Sequence, residues 1–329
     1  MAIRLIDNPE LWNRFMDESP YGLLFHKWEF LKILEKHTGF ILMPYGIYRG
    51  NELICLFPLF FKKYMGLKLV FSPPPQTGLP YLGFVMSAGY DSLKQKRKES
   101  YLHDVAREID AELNKISPNY VSITTVPKFS DVRPFRWQGY HVDITYTYAI
   151  DLGRPIDEIW HNFDKDCKKQ IRVASMPGPT LKRACDVDGF YEIMRARFSD
   201  EELAHFHSQS PEFLKDVFRA FPENLKMYYL YDGDRVSAVS INCDYKGKSI
   251  LWMGYAKGHS NEYIIWELIK KAKEDGLVES ENPDATTQRL TSFKSKFNPD
   301  LRLGFNISKK DFVGRVAEWS FANVVKRWV

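Results

Sequence analysis

The chain has 329 residues, a formal net charge of +4 and an apolar residue fraction of 44%. A chain of this length exceeds what one hydrophobic core usually organises, so we predict two domains. No apolar run approaches the roughly 18 residues that span a bilayer, and the start lacks the apolar stretch of a signal peptide. We therefore predict a soluble, cytoplasmic protein, whose small positive charge permits but does not require a nucleic-acid partner.

Cysteine and histidine spacing gives little indication of a metal site. The four cysteines stand apart without a CxxC motif, which is typical of a reducing compartment. His205 and His207 follow the acids of SDEELAHFH, an arrangement that fits either a metal site or a solvated loop. We predict no metal, and no cysteine has a setting that would lower its thiol pKa.

A helix followed by a β-hairpin is predicted in the first half of the chain. Residues 26–40 place apolar side chains at helical spacing and end near Gly39, which is a C-cap signal. Residues 45–56, YGIYRGNELICL, alternate as a strand, turn at Gly-Asn and return. The elements predicted next are a strand at 67–71, a long helix near 91–115 and a strand at 120–126.

A linker and a basic helix are predicted between the halves. Residues 131–155 interrupt the periodicity, although DITYTYAIDL within them restarts a strand. A single helix is predicted over 155–174. One of its faces is apolar, and the other carries Lys165, Lys168, Lys169 and Arg172.

The second half repeats the plan of the first. Residues 210–224 predict a helix that Pro222 ends. Residues 228–239, YYLYDGDRVSAV, follow the same Tyr-x-(Ile/Leu)-Tyr-x-Gly-(Asn/Asp)-charged-apolar pattern as residues 45–56. The elements predicted next are a strand at 249–256, a helix at 262–276 and a late strand at 301–309.

Helix plus hairpin in both halves indicates a duplication. We predict an α+β fold of two tandem domains, with mixed, mainly antiparallel sheets flanked by helices, over residues 1–150 and 151–308. Residues 309–329 are predicted to form a C-terminal helix that docks on the body. The alternative for this helix is a peripheral contact with a membrane surface, where a lipid-linked acceptor would be met.

Three short signatures on this duplicated chain resemble the FemABX family within the GNAT acyltransferase superfamily. FHKWEFLK resembles the N-terminal helix of that family, DKDCKKQIRVA its basic helix, and SFKSKFNPDL its late Phe-Lys-x-x-Phe signature. The resemblance runs from about residue 10 to 308 and implies two GNAT-like domains. The residues in the matching places are Trp28, Lys32, Lys168, Lys169, Ile171, Arg172, Ala174, Phe293, Lys294 and Phe297.

The resemblance implies transfer of an aminoacyl or other acyl group from a carrier, often aminoacyl-tRNA, to an amine, often on a phosphate-linked acceptor. It implies that Lys294 stabilises an oxyanion or a phosphate, and that Lys32 and Arg172, with Lys169 beside them, hold acceptor phosphates. Cationic side chains suit both tasks. Trp28, Phe293 and Phe297 would complete the binding site. No tightly bound cofactor is implied, because the donor is a co-substrate.

Each of these side chains also has a plain structural interpretation. Lys32 fits the solvated face of an amphipathic helix, the basic side of 155–174 fits a surface that favours solubility, and Lys296 fits a surface charge. Tyr81 in LPYLGF and Tyr255 in WMGYA either line a substrate cleft or belong to the core. The segment RLTSFKSKFNPDL, residues 289–301, puts both phenylalanines on one face whether it is a strand or a helix.

The donor is indicated by one departure from the GNAT pattern. A domain that binds acyl-CoA carries Arg/Gln-x-x-Gly-x-Gly/Ala before a helix whose N–H groups cradle the pyrophosphate. Here the chain reads YAKGHSNEYIIWELI, in which only Gly258 matches and Glu262 places an acid where an anion would bind. This departure argues against acetyl-CoA as the donor, and the family resemblance implies aminoacyl-tRNA. An acyl-CoA-dependent N-acyltransferase, and a non-catalytic binder of RNA or a phosphorylated ligand in the cleft between the domains, stay open.

Overall fold

The structure, a computed structural model, describes residues 1–176, 178–196 and 210–316. This part of the chain divides into two compact units. Unit 1 comprises residues 1–144, 210 and 304–316, and unit 2 comprises residues 145–176, 178–196 and 211–303. Whether these units are the domains that the sequence predicts over 1–150 and 151–308 stays a prediction.

The helices are α1 (Pro9–Glu18), α2 (Trp28–Thr38), α3 (Gln95–Ile116), α4 (Arg133–Trp137), α5 (Ile156–Asn162), α6 (Lys165–Ser175), α7 (Val187–Arg195), α8 (Pro211–Ala220), α9 (Ser260–Glu274) and α10 (Gln288–Lys294). The strands are β1 (Ala2–Leu5), β2 (Ile41–Arg49), β3 (Glu52–Tyr64), β4 (Leu67–Ser72), β5 (Val85–Met86), β6 (Tyr120–Thr124), β7 (His141–Asp151), β8 (Thr180–Ala184), β9 (Leu225–Asp232), β10 (Arg235–Tyr245), β11 (Lys248–Ala256), β12 (Glu279–Asn282) and β13 (Asp300–Lys310).

Both predicted hairpins are present. In unit 1, α2 ends at Gly39 in the left-handed region, and β2 pairs with β3 around Gly50 at φ +60°. In unit 2, α8 precedes β9 and β10, which pair around Gly233 at φ +58°. The glycines are needed because a side chain at these angles would crowd the backbone.

The two units share one strand plan after the hairpin. β4 and β11 each pair antiparallel with the second hairpin strand of their unit. A helix, α3 or α9, follows later in the chain, and the strand after it, β6 or β12, runs parallel to β4 or β11 respectively. The resulting order is β1-β2-β3-β4-β6-β13 in unit 1 and β8-β9-β10-β11-β12-β7 in unit 2, with β5 on β3. The predicted fold class is confirmed: α+β, with mostly antiparallel sheets and flanking helices.

The last strand of unit 1 comes from the far end of the chain. β6 pairs antiparallel with β13, from Thr124 opposite Asn306 to Tyr120 opposite Lys310. In unit 2 the corresponding edge of β12 pairs with β7, which precedes the rest of that unit in the chain. Sequence order alone would not reveal either pairing, because each joins segments that are far apart in the chain.

The helix predicted over 155–174 is two helices, which is a correction. The helix is interrupted at Phe163 and Asp164. Asp164 is the N-cap of α6, and its carboxylate accepts a hydrogen bond from the Asp166 N–H (2.7 Å). The predicted apolar face is nevertheless buried across the break. Its members in the core of unit 2 are Ile159, Phe163, Cys167 and Ile171, which pack with α9 residues Ile264, Ile265, Leu268 and Ile269.

The predicted C-terminal helix is described only at its start. Its predicted start is wrong, because Lys309 and Lys310 pair with β6 as the end of β13. Residues 312–316 are helical, and residues 317–329 lie outside the described ranges. Phe312 is 72% exposed. The docking of this segment on the body stays a prediction.

Candidate active site

The Phe-Lys-x-x-Phe segment is helical. α10 ends at Lys294 and continues as a 3₁₀ turn, Ser295–Phe297, which Asn298 ends at φ +47°. Phe293 and Phe297 therefore share a face as an i, i+4 pair, with ring centroids 5.9 Å apart. Phe297 is buried against Phe163 at 5.1 Å. These contacts fix the segment on the core of unit 2.

Lys294 is a buried lysine. Only 9% of its surface is exposed, and its Nζ donates hydrogen bonds to the main-chain carbonyls of Pro283 and Asp284, the latter at 2.7 Å. Burial lowers its pKa to about 8, and the nearby Asp284 carboxylate partly opposes that shift. An ammonium has three N–H donors, so one remains after the two carbonyls are satisfied.

A mostly apolar cleft in unit 2 reaches Lys294. The space that it encloses has room for about one water molecule, well below the roughly 300–1,000 Å³ typical of small-molecule sites. Polar groups in its wall come from Ser280, Asn282 and Lys294. The remaining lining residues are Tyr148, Ile150, Leu251, Ile265, Ile269, Phe297 and Pro299. Because the surroundings of Lys294 are mostly apolar, the local dielectric is low and any electrostatic contact of its ammonium group is stronger than in water.

Lys296 is more than a surface charge. Its Nζ lies 2.8 Å from the Asp166 carboxylate of α6 and 3.4 Å from the buried Glu262 carboxylate of α9. The hydrogen bond from Lys296 holds the pKa of Asp166 below its usual value. The Asp164 N–H also donates to the Lys296 carbonyl (2.8 Å). Two of the three sequence signatures, the basic helix and the late Phe-Lys-x-x-Phe segment, are thus joined in unit 2.

The other predicted binding residues of unit 2 lie on α6 and β11. Lys169 and Arg172 are exposed on α6, and the Arg172 guanidinium lies 5.8 Å from the centre of the Trp160 ring. Tyr255 is half-buried on β11, opposite Val239 of β10. Stacking on Trp160 holds the guanidinium while leaving its edge open to an anion.

Three predicted residues belong to unit 1. Lys32 is half-exposed on α2 and forms an ion pair with Glu35. Trp28 begins the same helix and packs edge-on against the buried Trp12, at 5.9 Å. Tyr81 is 3% exposed, and its hydroxyl has no hydrogen-bond partner within the described chain. The binding roles assigned to these residues stay predictions.

Glu281 is a titratable residue that the sequence analysis missed. It is 1% exposed on β12, and burial raises its pKa to about 7, with Arg302 partly opposing. Its carboxyl group accepts a hydrogen bond from Thr147 (3.4 Å) and lies 3.9 Å from the Lys248 Nζ. Side chains alternate along a strand, so Glu281 faces away from the cleft that Ser280 and Asn282 line. The sequence did offer one indication of this residue. A strand that follows a helix and pairs parallel with the strand before it is usually buried, and Glu281 is an acid inside such a strand, β12.

No cluster of three or more metal-ligating side chains occurs among the described residues. His205 and His207 lie outside the described ranges. Cys55, Cys167 and Cys243 are buried, and burial raises the pKa of the Cys167 thiol to about 12. Of the helices that the structure describes, none combines the length and apolar character needed to cross a bilayer.

Comparisons with known proteins agree with this architecture. Residues 162–280, most of which lie in unit 2, match the family model of the acetyltransferase (GNAT) domain. No curated protein matches the sequence. The structure is similar to that of FemX, with a TM-score of 0.65 and 15% identity over 93% of this chain and 97% of that chain.

Two further structures share the fold. The C-terminal domain of a putative lysylphosphatidylglycerol synthetase from Agrobacterium fabrum has a TM-score of 0.53 at 10% identity, over 88% of this chain and 90% of that chain. L-PGS from Bacillus licheniformis has a TM-score of 0.52 at 14% identity, over 94% and 95%. The predicted resemblance to FemABX-like proteins of the GNAT superfamily is confirmed in the fold and in the GNAT match of the second half.

Proposed function

We propose that the protein is an acyltransferase that moves an aminoacyl or acyl group from a carrier to an amine, with Lys294 as the oxyanion-stabilising residue. The observation that carries this proposal is the buried Lys294 ammonium beside an apolar cleft in unit 2. Removing a cation from water costs free energy, which packing alone does not recover. Such groups are found preferentially at functional sites.

In the proposed reaction, the amine nitrogen attacks the acyl carbon. A C–N bond forms, and the bond from that carbon to the ester oxygen or thioester sulfur of the carrier breaks. The carbonyl oxygen carries negative charge in between, and the remaining N–H of Lys294 would donate to it. The proton lost by the amine passes to the leaving group or to water. Because the Pro283 and Asp284 carbonyls already hold Nζ, the donor needs little reorganisation.

The protonation state of Lys294 suits this role near neutral pH. A pKa of about 8 leaves the group mostly protonated at pH 7, so it acts as a hydrogen-bond donor there. As the pH rises through about 8, the ammonium loses a proton and its charge. Turnover is therefore expected to fall on the alkaline side when Lys294 protonation limits the reaction.

The acceptor that we propose bears a phosphate. Lys169 and Arg172 lie one helical turn apart on the exposed side of α6, and the guanidinium fork suits two phosphate oxygens. A lysylphosphatidylglycerol synthetase, one of the proteins with this fold, is named for an aminoacylated phospholipid. A phosphate-bearing acceptor at a membrane surface fits the same chemistry.

The donor that we propose first is aminoacyl-tRNA, by the likeness to FemX and to lysylphosphatidylglycerol synthetases. One observation favours acyl-CoA as a second candidate. The Glu262 carboxylate, which on sequence grounds opposes an anion at the start of α9, is paired with Lys296 at 3.4 Å. The pairing reduces that repulsion.

A donor panel tests the proposal. Purified protein is incubated with radiolabelled aminoacyl-tRNA or with acetyl-CoA and longer acyl-CoAs, with UDP-linked aminosugar peptides or amine-bearing lipids as acceptors. Amide formation from aminoacyl-tRNA supports the first donor, and formation from acyl-CoA alone makes the protein an ordinary N-acyltransferase. If neither donor transfers, while RNA or a phosphorylated ligand binds, the protein is a binding protein and the proposal is wrong.

A further inference from the structure

A basic surface on unit 1 is unexplained by the chemistry proposed for unit 2. The start of α3 reads KQKRK, and its first turn contains no acidic residue. Cations at a helix N-terminus are repelled by the positive end of the helix dipole, so these residues do not stabilise α3. Lys94, Lys96 and Arg97 are exposed and make no ion pair within the described chain. Their position therefore calls for a reason other than the stability of the helix.

The short helix α4 extends this surface beside α3. Arg133 joins the two helices, since its guanidinium lies 2.8 Å from Glu99 and 2.9 Å from Asp131. One turn further along, Trp137 is 67% exposed, and its ring centroid is 6.3 Å from that of His103 on α3. Arg136 is exposed next to it. We call Lys94, Lys96, Arg97, Arg136 and Trp137 the α3–α4 surface.

The acids near this surface are held in ion pairs. Glu99 and Asp131 are bound by Arg133, and Asp91 is bound by Lys128 at 3.0 Å. Arg107 similarly occupies Asp104 at 3.1 Å. The four remaining cations make no ion pair among the described side chains, and they outnumber the two carboxylate charges that the shared Arg133 and Arg107 leave unbalanced. They produce a positive potential that attracts a polyanion.

We infer that the α3–α4 surface binds RNA, with the cations on phosphates and Trp137 stacked on a base. Exposed aromatic rings among arginines are the usual platform for single-stranded or splayed bases. An anionic bilayer fits less well, because insertion requires several exposed aliphatic side chains and this surface exposes a single indole. The choice of a tRNA among RNAs rests on the proposed aminoacyl donor.

The test is tRNA binding by the full-length protein, measured by fluorescence anisotropy between 50 and 300 mM salt. The variant Lys94→Gln/Lys96→Gln/Arg97→Gln should lower the slope of log affinity against log salt by about 3. A control variant, Lys215→Gln/Arg219→Gln/Lys271→Gln, removes the same charge from partly exposed, ion-paired helix positions in unit 2 and should leave the slope close to wild type. Equal slopes for the two triple variants would overturn the inference.

Trp137→Ala separates stacking from charge. It should weaken tRNA binding by about tenfold while the salt slope stays unchanged. Two competitors are added separately: phosphatidylglycerol vesicles, and soluble polyglutamate. If either one displaces labelled tRNA at the same concentration of negative charge as unlabelled tRNA, the surface is a membrane or general polyanion site, and the inference is wrong.

The proposed function and the surface can fail separately. If aminoacyl-tRNA supports transfer and the first triple variant still binds tRNA normally, the RNA lies elsewhere and the proposed function stands. If the first triple variant loses RNA binding but only acyl-CoA supports transfer, the surface stands and the proposed donor is wrong.

Discussion

The two hairpins are matched to the level of a single irregularity. In the first, the register shifts between Ile47 and Tyr48, so that Ile54 is an extra residue on β3. In the second, it shifts between Val236 and Ala238, so that Ser237 is the extra residue on β10. Ile54 and Ser237 occupy the same place in the repeated pattern. A shared β-bulge is a feature of the backbone plan, and it supports duplication more strongly than the turn residues alone.

The units differ in what their parallel fourth strand carries. In unit 1, β6 reads YVSIT, which is apolar or hydroxylated. In unit 2, β12 reads ESEN, with Glu281 buried on one face and Ser280 and Asn282 on the face that adjoins Lys294. Lys294 and Glu281, whose pKa values lie near 8 and 7, therefore both belong to unit 2. At this one strand position, the shared scaffold carries apolar and hydroxyl side chains in unit 1 and a buried carboxyl group in unit 2.

The largest effect is expected from Lys294→Met. Loss of the oxyanion donor should lower turnover about 100-fold or more. Lys68 in unit 1 is the matched control, because its Nζ also donates to a main-chain carbonyl, that of Ile116 (2.8 Å). Lys68→Met should leave turnover unchanged. Steady-state kinetics on folded variants distinguishes the two, and unchanged turnover in Lys294→Met would remove this residue from the mechanism.

The next effect concerns stability and Glu281. Its pKa is raised in the folded state, from 4.5 to about 7, so the folded protein holds a proton that the unfolded chain releases. Stability from this group is fully present below pH 4.5 and is lost as the pH rises to about 7. Glu281→Gln cannot lose this proton, so its free energy of unfolding should exceed that of the wild type by about 3 kcal/mol at pH 8.

Urea unfolding of both proteins at pH 4.5 and pH 8 measures that difference. Glu279→Gln is the control, because Glu279 is paired with Arg302 at 2.6 Å and with Lys248 at 2.9 Å. This change should not stabilise the protein at pH 8. An equal gain from both substitutions would mean that general repulsion, and not burial of Glu281, sets the pH dependence.

The smallest effect tests the equivalence of the hairpins. Gly50 and Gly233 both have positive φ, and a Cβ at either would meet no atom within 4 Å. The cost of Gly50→Ala and Gly233→Ala is therefore backbone strain alone, about 1 kcal/mol each. Denaturant unfolding should give similar losses. Losses that differ by more than twofold would show that the two turns are under different constraints.

The sequence predicts features that depend on nearby residues. Gly-Asn and Gly-Asp turns between alternating strands predicted both hairpins, and the i, i+4 spacing put Phe293 and Phe297 on one face. The break at Asp164 was not predicted, because the apolar spacing continues through it while the capping carboxylate acts locally on the backbone. Lys296 was assigned to the surface because its partners Asp166 and Glu262 are distant in sequence. The burial of Glu281 could not be predicted, because it depends on the position of β12 between β11 and β7 in the sheet.

The pairing of β6 with β13 has a consequence for synthesis. The hydrogen bond from the Asn306 side chain to Thr124 joins residues 182 positions apart. The ribosome therefore synthesises β13 long after its partner strand β6. At about 5–20 residues per second, the delay is roughly 10–40 s. During that time the edge of β6 is open to wrong partners, because unpaired strand edges promote aggregation. Chaperone dependence of the nascent chain should therefore be greatest after residues 1–144 have emerged and before residue 310 has been added.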